Sequence, residues 1–224
     1  MSAFWLSVRV AAWTTVLLVP FGLLVGRWLA GSRWRGRAWL EAALLLPLVL
    51  PPTVIGYYLL VALAPAAPLG GALAALLGQP LVFSFPGLVF ASLLVNLPFA
   101  VQPVQQAYAA LPPDVREAAA VSGLSPLRAF LAVELPLTWT GVFGAAALVF
   151  AHTLGEFGVV LMVGGNIEGV TRTLSIAIYD DVQSFDMRSA GLSSLALVLF
   201  PLVALAAVRL AAARGARDGR ATRR

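Results

Sequence analysis

Residues 112–136 read Pro112-Pro113-Asp114-Val115-Arg116-Glu117-Ala118-Ala119-Ala120-Val121-Ser122-Gly123-Leu124-Ser125-Pro126-Leu127-Arg128-Ala129-Phe130-Leu131-Ala132-Val133-Glu134-Leu135-Pro136, a polar insert between two strongly apolar stretches. The paired prolines end whatever helix precedes them. Asp114 is expected as the N-cap of a new helix, with Glu117 at its third position in a capping-box relation. About two turns later Gly123 supplies the left-handed residue that closes such a helix. Ser125-Pro126 starts a second short helix, because proline is tolerated in a first turn, and Leu135-Pro136 leads into the next apolar run. Ala118, Ala119 and Ala120 leave a face almost without side chains, which another protein's surface can approach closely. From the residues alone the insert reads either as a docking element or as an amphipathic loop lying on a bilayer.

Its flanks are those of a polytopic membrane protein. The 224 residues are 60% hydrophobic and 11% charged, too apolar for a soluble domain of this size. Five stretches are long and apolar enough to span a bilayer as helices, at about 10–30, 42–64, 87–111, 139–163 and 190–213. A sixth, 66–85, is uncharged but interrupted by Pro68, Gly70, Gly71, Gly78 and Pro80 and flanked by Pro65 and Pro86. It is expected as an external or re-entrant hairpin with a short helix near Ala72 to Leu77. All fifteen cationic residues are arginine, so no Lys-containing phosphate loop exists, and with no cysteine there is neither disulfide nor thiolate metal site.

Charge parity decides between five spans and six. Arg27, Arg33, Arg35 and Arg37 follow the first span, Arg116 and Arg128 lie in the insert, and Arg209, Arg214, Arg217, Arg220, Arg223 and Arg224 form the C-terminal end. Five spans put all three groups on one side, which the positive-inside rule makes cytoplasmic. The other side receives the uncharged segment 65–86 and the segment 164–189, where Glu168, Asp180, Asp181 and Asp186 outweigh Arg172 and Arg188. The N-terminus is then outside and the basic tail, 214–224, inside. The net charge of +5 follows from these anchors and is no sign of nucleic-acid binding.

His152 and Glu156 are the ionisable residues well inside the apolar runs. On one continuous helix they would share a face, four residues apart, with Glu156 toward the outer mouth. A carboxylate there either accepts hydrogen bonds from a neighbouring element or acts as a gate. A catalytic or metal role is disfavoured, since the chain has no second histidine. Pro47, Pro51 and Pro52 in the second run make a broken, either static or pathway-lining, helix.

The intervals between Glu117-Ala118-Ala119, Gly123, Val133 and Leu135-Pro136 resemble the EAA loop of ABC-importer permeases, with Val133 where that family usually has isoleucine. The resemblance implies a coupling helix that enters a cleft of an ATP-binding subunit. Ala118, Ala119 and Gly123 would then be contact and hinge positions, with Glu117 pairing with the partner. Segments 46–60, 155–158, 165–169 and 171–179 resemble the molybdate permeases among these importers, over about residues 45–179; tungstate and sulfate permeases share part of the pattern. What this implies is an all-α permease of five spans in the bacterial inner membrane, a single domain over 1–224. It would work as a homodimer with two cytoplasmic ATP-binding subunits, an extracytoplasmic molybdate-binding protein and membrane lipid. ATP and Mg belong to the partner, and no cofactor, metal or catalytic residue is expected here. Pro51, Pro52, Thr53, Thr153 and Glu156 are the expected pathway or gate residues. The rival from another class is an intramembrane enzyme using His152 and Glu156.

Overall fold

Proline and glycine divide the chain more finely than its apolar runs do. The computed structural model describes residues 2–221, with side-chain positions for these other than Arg116, Ala120 and most of 204–221. The described residues form helices and connecting loops, with no strand among them. The basic tail expected from Arg209, Arg214, Arg217, Arg220, Arg223 and Arg224 lies outside the described side chains.

The first helix, α1 (Ala3–Gly31), is continuous despite Pro20. The second apolar run is two helices, α2 (Arg37–Val49) and α3 (Pro52–Leu63), bent by 108°. Pro47 sits inside α2 without ending it, so the break belongs to the Pro51-Pro52 pair. A proline restricts its predecessor to extended backbone, and Leu50 and Pro51 are extended with ψ of 140° and 135°. The segment expected as an outer hairpin carries α4 (Pro68–Leu77), which begins at Pro68 rather than Ala72 and ends on Gly78 with φ +71°. The third run is also two pieces, α5 (Phe85–Val95) and α6 (Leu97–Ala109), bent by 42° at Asn96. Pro98, near the start of α6, has no amide to return to the turn before it.

The polar insert holds α7 (Pro113–Val121) and α8 (Pro126–Ala129), and α8 continues through a widened π turn (Phe130–Glu134) into α9 (Leu135–Gly155). The span expected at 139–163 therefore differs from the observed helix, which runs Pro126–Gly155. After Gly155 the chain turns extended at Glu156 and restarts as α10 (Gly158–Gly164). Two glycines flank this break, and glycine is the poorest helix former after proline. Next come α11 (Leu174–Gln183) and α12 (Met187–Ala221). Asp186 starts α12 by accepting the Ser189 amide at 3.0 Å, and hydrogen bonds from Ser189 hold its carboxyl below the usual range.

By length and apolarity, two described helices, α1 and Pro126–Gly155, can cross a bilayer; there are four if each bent pair is one span. The described part of α12, Met187–Val203, is a further apolar helix. Packing falls into two groups. In the first, α1, α6 and α9 lie against one another around Leu18, Ala100 and Val149 and, further along, Val104, Tyr108 and Ala145. In the second, α3, α5 and α10 enclose Leu63, Ala91, Val95, Val159 and Val163.

Glycines set how closely the helices of each group approach. Gly22 and Gly26, four apart on α1, form the small-residue pattern that lets membrane helices meet backbone to backbone. A Cβ on Gly22 would lie 2.5 Å from the Ala100 carbonyl oxygen, and one on Gly26 2.9 Å from that of Val101. Gly22→Val is therefore expected to destabilise the protein by about 1–3 kcal/mol and to lower its melting temperature in detergent. Gly144→Ala, whose Cβ meets nothing within 4 Å, should melt like the parent. Equal melting of all three proteins would contradict a close α1–α6 crossing.

Candidate functional site

The insert forms a helix, a turn and a second helix that runs on into α9. Helix α7 begins at Pro113, so Asp114 lies inside its first turn rather than at the N-cap. Glu117 is then beyond the third helical position, and the expected capping box does not form. The other end follows the expected pattern. Gly123 has φ +72° in open space, and the Leu124 amide returns to the Ala119 carbonyl at 3.2 Å, the six-to-one bond that closes a helix on a left-handed residue. The Ser125 hydroxyl accepts the Arg128 amide at 3.4 Å to start α8.

Burial divides the alanine face. Glu117 and Ala118 are exposed, whereas Ala119 is 6% exposed and belongs to the packing of α7, which contacts α8 and the π turn. Val133 and Leu135 are half-buried and Pro136 is exposed. Val121, Leu127 and Leu131 are exposed large apolar residues of the same insert. Exposed apolar groups clustered beside polar ones are what a docking surface requires.

The π turn lies directly ahead of Pro136. Lacking an amide, Pro136 cannot continue the regular ladder, and the helix widens ahead of it, so that the Leu135 amide bonds to Phe130. The last residue of the turn, Glu134, is directed inward. Its side chain is 7% exposed and takes a two-pronged bond from Arg27 of α1, Nε to Oε2 at 2.6 Å and Nη2 to Oε1 at 3.2 Å. The guanidinium also lies 5.1 Å from the centre of the Phe130 ring. Sequence reasoning takes Arg27 as a solvent-side anchor and gives Glu134 no role. The partners are 107 positions apart, and the available signal was a lone carboxylate inside the Val133-Leu135 motif.

A second constellation lies at the helix breaks. A cavity of about 180 Å³ is lined by Leu50, Pro52, Val95, Phe99, His152 and Glu156, among others. These residues flank all three breaks, at Pro51, Asn96 and Glu156. Asn96, fully buried, donates through Nδ2 to the Ser92 carbonyl at 2.8 Å. Its Oδ1 is 3.1 Å from His152 Nδ1, so Nδ1 is the donor of that pair. The imidazole lies 4.4 Å from the Phe99 ring, centre to centre. Glu156 is 8% exposed and accepts the Val159 amide at 3.1 Å, which supplies a partner for the start of α10.

Of the expected pathway residues, Pro52 and Glu156 line this cavity and Pro51 makes its break. Thr53 is exposed outside it, and the Thr153 hydroxyl is turned back onto the Val149 carbonyl at 2.7 Å. Because α9 ends at Gly155, His152 and Glu156 do not share one helix face. The acidic segment is internally committed as well: Asp180 Oδ2 accepts Asn166 Nδ2 at 2.7 Å and pairs with Arg172 at 2.9 Å. No cluster of potential metal ligands occurs among the described residues.

Residues 19–215 match the family described as binding-protein-dependent transport system inner membrane component. The chain is 43% identical over 93% of its length to the molybdenum transport system permease protein ModB of Azotobacter vinelandii, covering 92% of that protein. It is 34% identical to the ModB protein of Escherichia coli K12, over 92% of this chain and 88% of that one. A probable sulfate transport system permease of Chlorella vulgaris is 30% identical, over 91% of this chain and 76% of that one.

Removing Arg27 takes the two-pronged bond away from a carboxylate that stays buried. Arg27→Met is expected to cost about 2 kcal/mol, below the value for a fully buried pair because Arg27 is partly exposed. Adding Glu134→Gln to that variant should recover much of the loss, as read by melting temperature in detergent. A single variant that melts like the parent would contradict the pairing.

Proposed function

Because the chain belongs to the family of binding-protein-dependent transport system inner membrane components, we propose that it is the pathway-forming subunit of an ATP-driven oxyanion importer whose cargo is molybdate. Such a protein is a transporter subunit and not an enzyme, which leaves His152 and Glu156 the structural contacts described above. The observation that carries the cargo assignment is the 43% identity to a molybdenum permease across 93% of the chain. The sulfate permease relative makes sulfate one competing cargo of the same class, and tungstate, whose permeases share part of the sequence pattern, is the other.

In this reading α2–α3 and α5–α6 each count as one span, and α12 completes five. The basic segments, including residues 112–136, then face the cytoplasm. Two copies surround the pathway. Glu117, Ala118, Val121 and the turn at Gly123 meet the ATP-binding subunit, which holds ATP and Mg. Closure of that subunit moves α7, and the π turn carries the movement into α9. The break cavity at the far end of α9 is the part of the pathway this chain contributes. A carboxylate repels an oxyanion, so Glu156 positions α10 there and does not bind cargo. An extracytoplasmic binding protein delivers the anion.

The test is ATP-dependent uptake by the complex reconstituted with its ATPase and binding protein, comparing molybdate, tungstate and sulfate. Molybdate uptake is expected to exceed sulfate uptake by at least an order of magnitude. Equal uptake, or sulfate preference, would overturn the cargo assignment. Gly123→Val places a β-branched residue at φ +72°, a conformation it avoids by about 1–2 kcal/mol. That variant should hydrolyse ATP with uptake reduced at least tenfold, while Gly123→Asn, tolerated in the left-handed region, retains coupling.

A further inference from the structure

We propose that the groove between α1 and α5 holds one anionic phospholipid, its phosphate on Arg9 and an acyl chain between the helices. The groove is lined by Trp13, Leu81, Phe85, Val89, Phe90 and Leu93, with Leu77 and Pro86 at its edge, and its surface is almost wholly apolar. Val10 packs with Leu88 and Val89, and Leu18 packs beside Leu93, so α1 and α5 descend side by side in the same direction. From Phe85 to Leu93 the groove is about 12 Å long at the helical rise, enough to seat a large part of an acyl chain.

Charge and aromatic placement at one end identify the headgroup. Arg9 is exposed and its guanidinium lies 4.9 Å from the centre of the Phe85 ring, a groove-lining side chain. Arg9 stands at the edge of the apolar run of α1, whose next charged residue is Arg27. Trp5, Arg9 and Trp13 are spaced four apart along α1, hence on one face, and the two indoles are 59% and 51% exposed. Tryptophan beside arginine at the end of a span is the pattern of the headgroup level, and one arginine there attracts an anionic lipid. A zwitterionic lipid such as phosphatidylcholine also offers a phosphate, but its choline cation cancels the charge and Arg9 attracts it less, and a second protein would have to match an apolar slot with an arginine at its mouth.

The full chain in nanodiscs tests this with brominated acyl chains on phosphatidylglycerol or phosphatidylcholine. The Trp13 contribution to fluorescence is taken as the difference between the parent and Trp13→Phe. Brominated phosphatidylglycerol should quench it with about fivefold higher relative affinity than brominated phosphatidylcholine, the scale of one interfacial arginine, and Arg9→Gln should bring the ratio to about one. Equal quenching by both lipids in the parent would overturn the proposal without need of any variant. So would a preference that survives Arg9→Gln, or a Trp13 that neither lipid quenches, the sign of a groove covered by protein.

Discussion

A proline in an apolar helix frees a carbonyl that hydrocarbon cannot satisfy, and this constraint shapes the molecule. Each proline that matters here is met by a different local solution. At Pro51-Pro52 the helix gives up and turns by 108°. At Pro98 it bends by 42°, and the Ser92 carbonyl just before the bend takes both the Asn96 amide and the Asn96 side chain as donors. At Pro136 it stays straight enough to continue but widens by one residue into a π turn. The break at Glu156 owes nothing to proline; glycines flank it and a carboxylate accepts the amide that the restart exposes. Irregular backbone at membrane depth persists where protein encloses it or where it lines a cavity. Three of these breaks surround one cavity here.

The widened turn has a second consequence. It aims Glu134 at Arg27 and so ties the end of the polar insert to α1. The helix from Pro126 to Gly155 spans 30 residues, about 45 Å, with this ion pair near one end and the break cavity at the other. Under the proposed function, a displacement imposed on α7 therefore meets a strut rather than a loose loop. Movement of α9 as a rigid body would reach the breaks, where the backbone has fewest bonds to lose.

Periodicity and composition made the apolar segments legible, and turn chemistry placed Gly123 and Ser125; at Leu135-Pro136, where a restart was expected, the helix instead continues through the π turn. Local signals were less reliable where two solutions compete. Asp114 has the chemistry of an N-cap, but Pro113 is already suited to a first helical position, and the helix starts there. Ala119 fits a bare contact face until burial assigns it to packing. The stretch 139–163 looks like one span because glycine interrupts an apolar run without changing its hydropathy. Arg27–Glu134 and Asn96–His152 were beyond reach, since each joins residues remote in sequence. The Gly22–Gly26 pattern was present in the sequence and its use became clear only with α6 against it.

Under the proposed function, the exposed face of α7 is where the ATP-binding subunit docks. The chain contains no cysteine, so Ala118→Cys introduces a single thiol on that face. In the assembled complex a short thiol-reactive bifunctional reagent should join it to the ATP-binding subunit. The same reagent on Phe185→Cys, an 84% exposed position beside the acidic segment, should not. Cross-linking from Phe185→Cys with none from Ala118→Cys would contradict docking at α7.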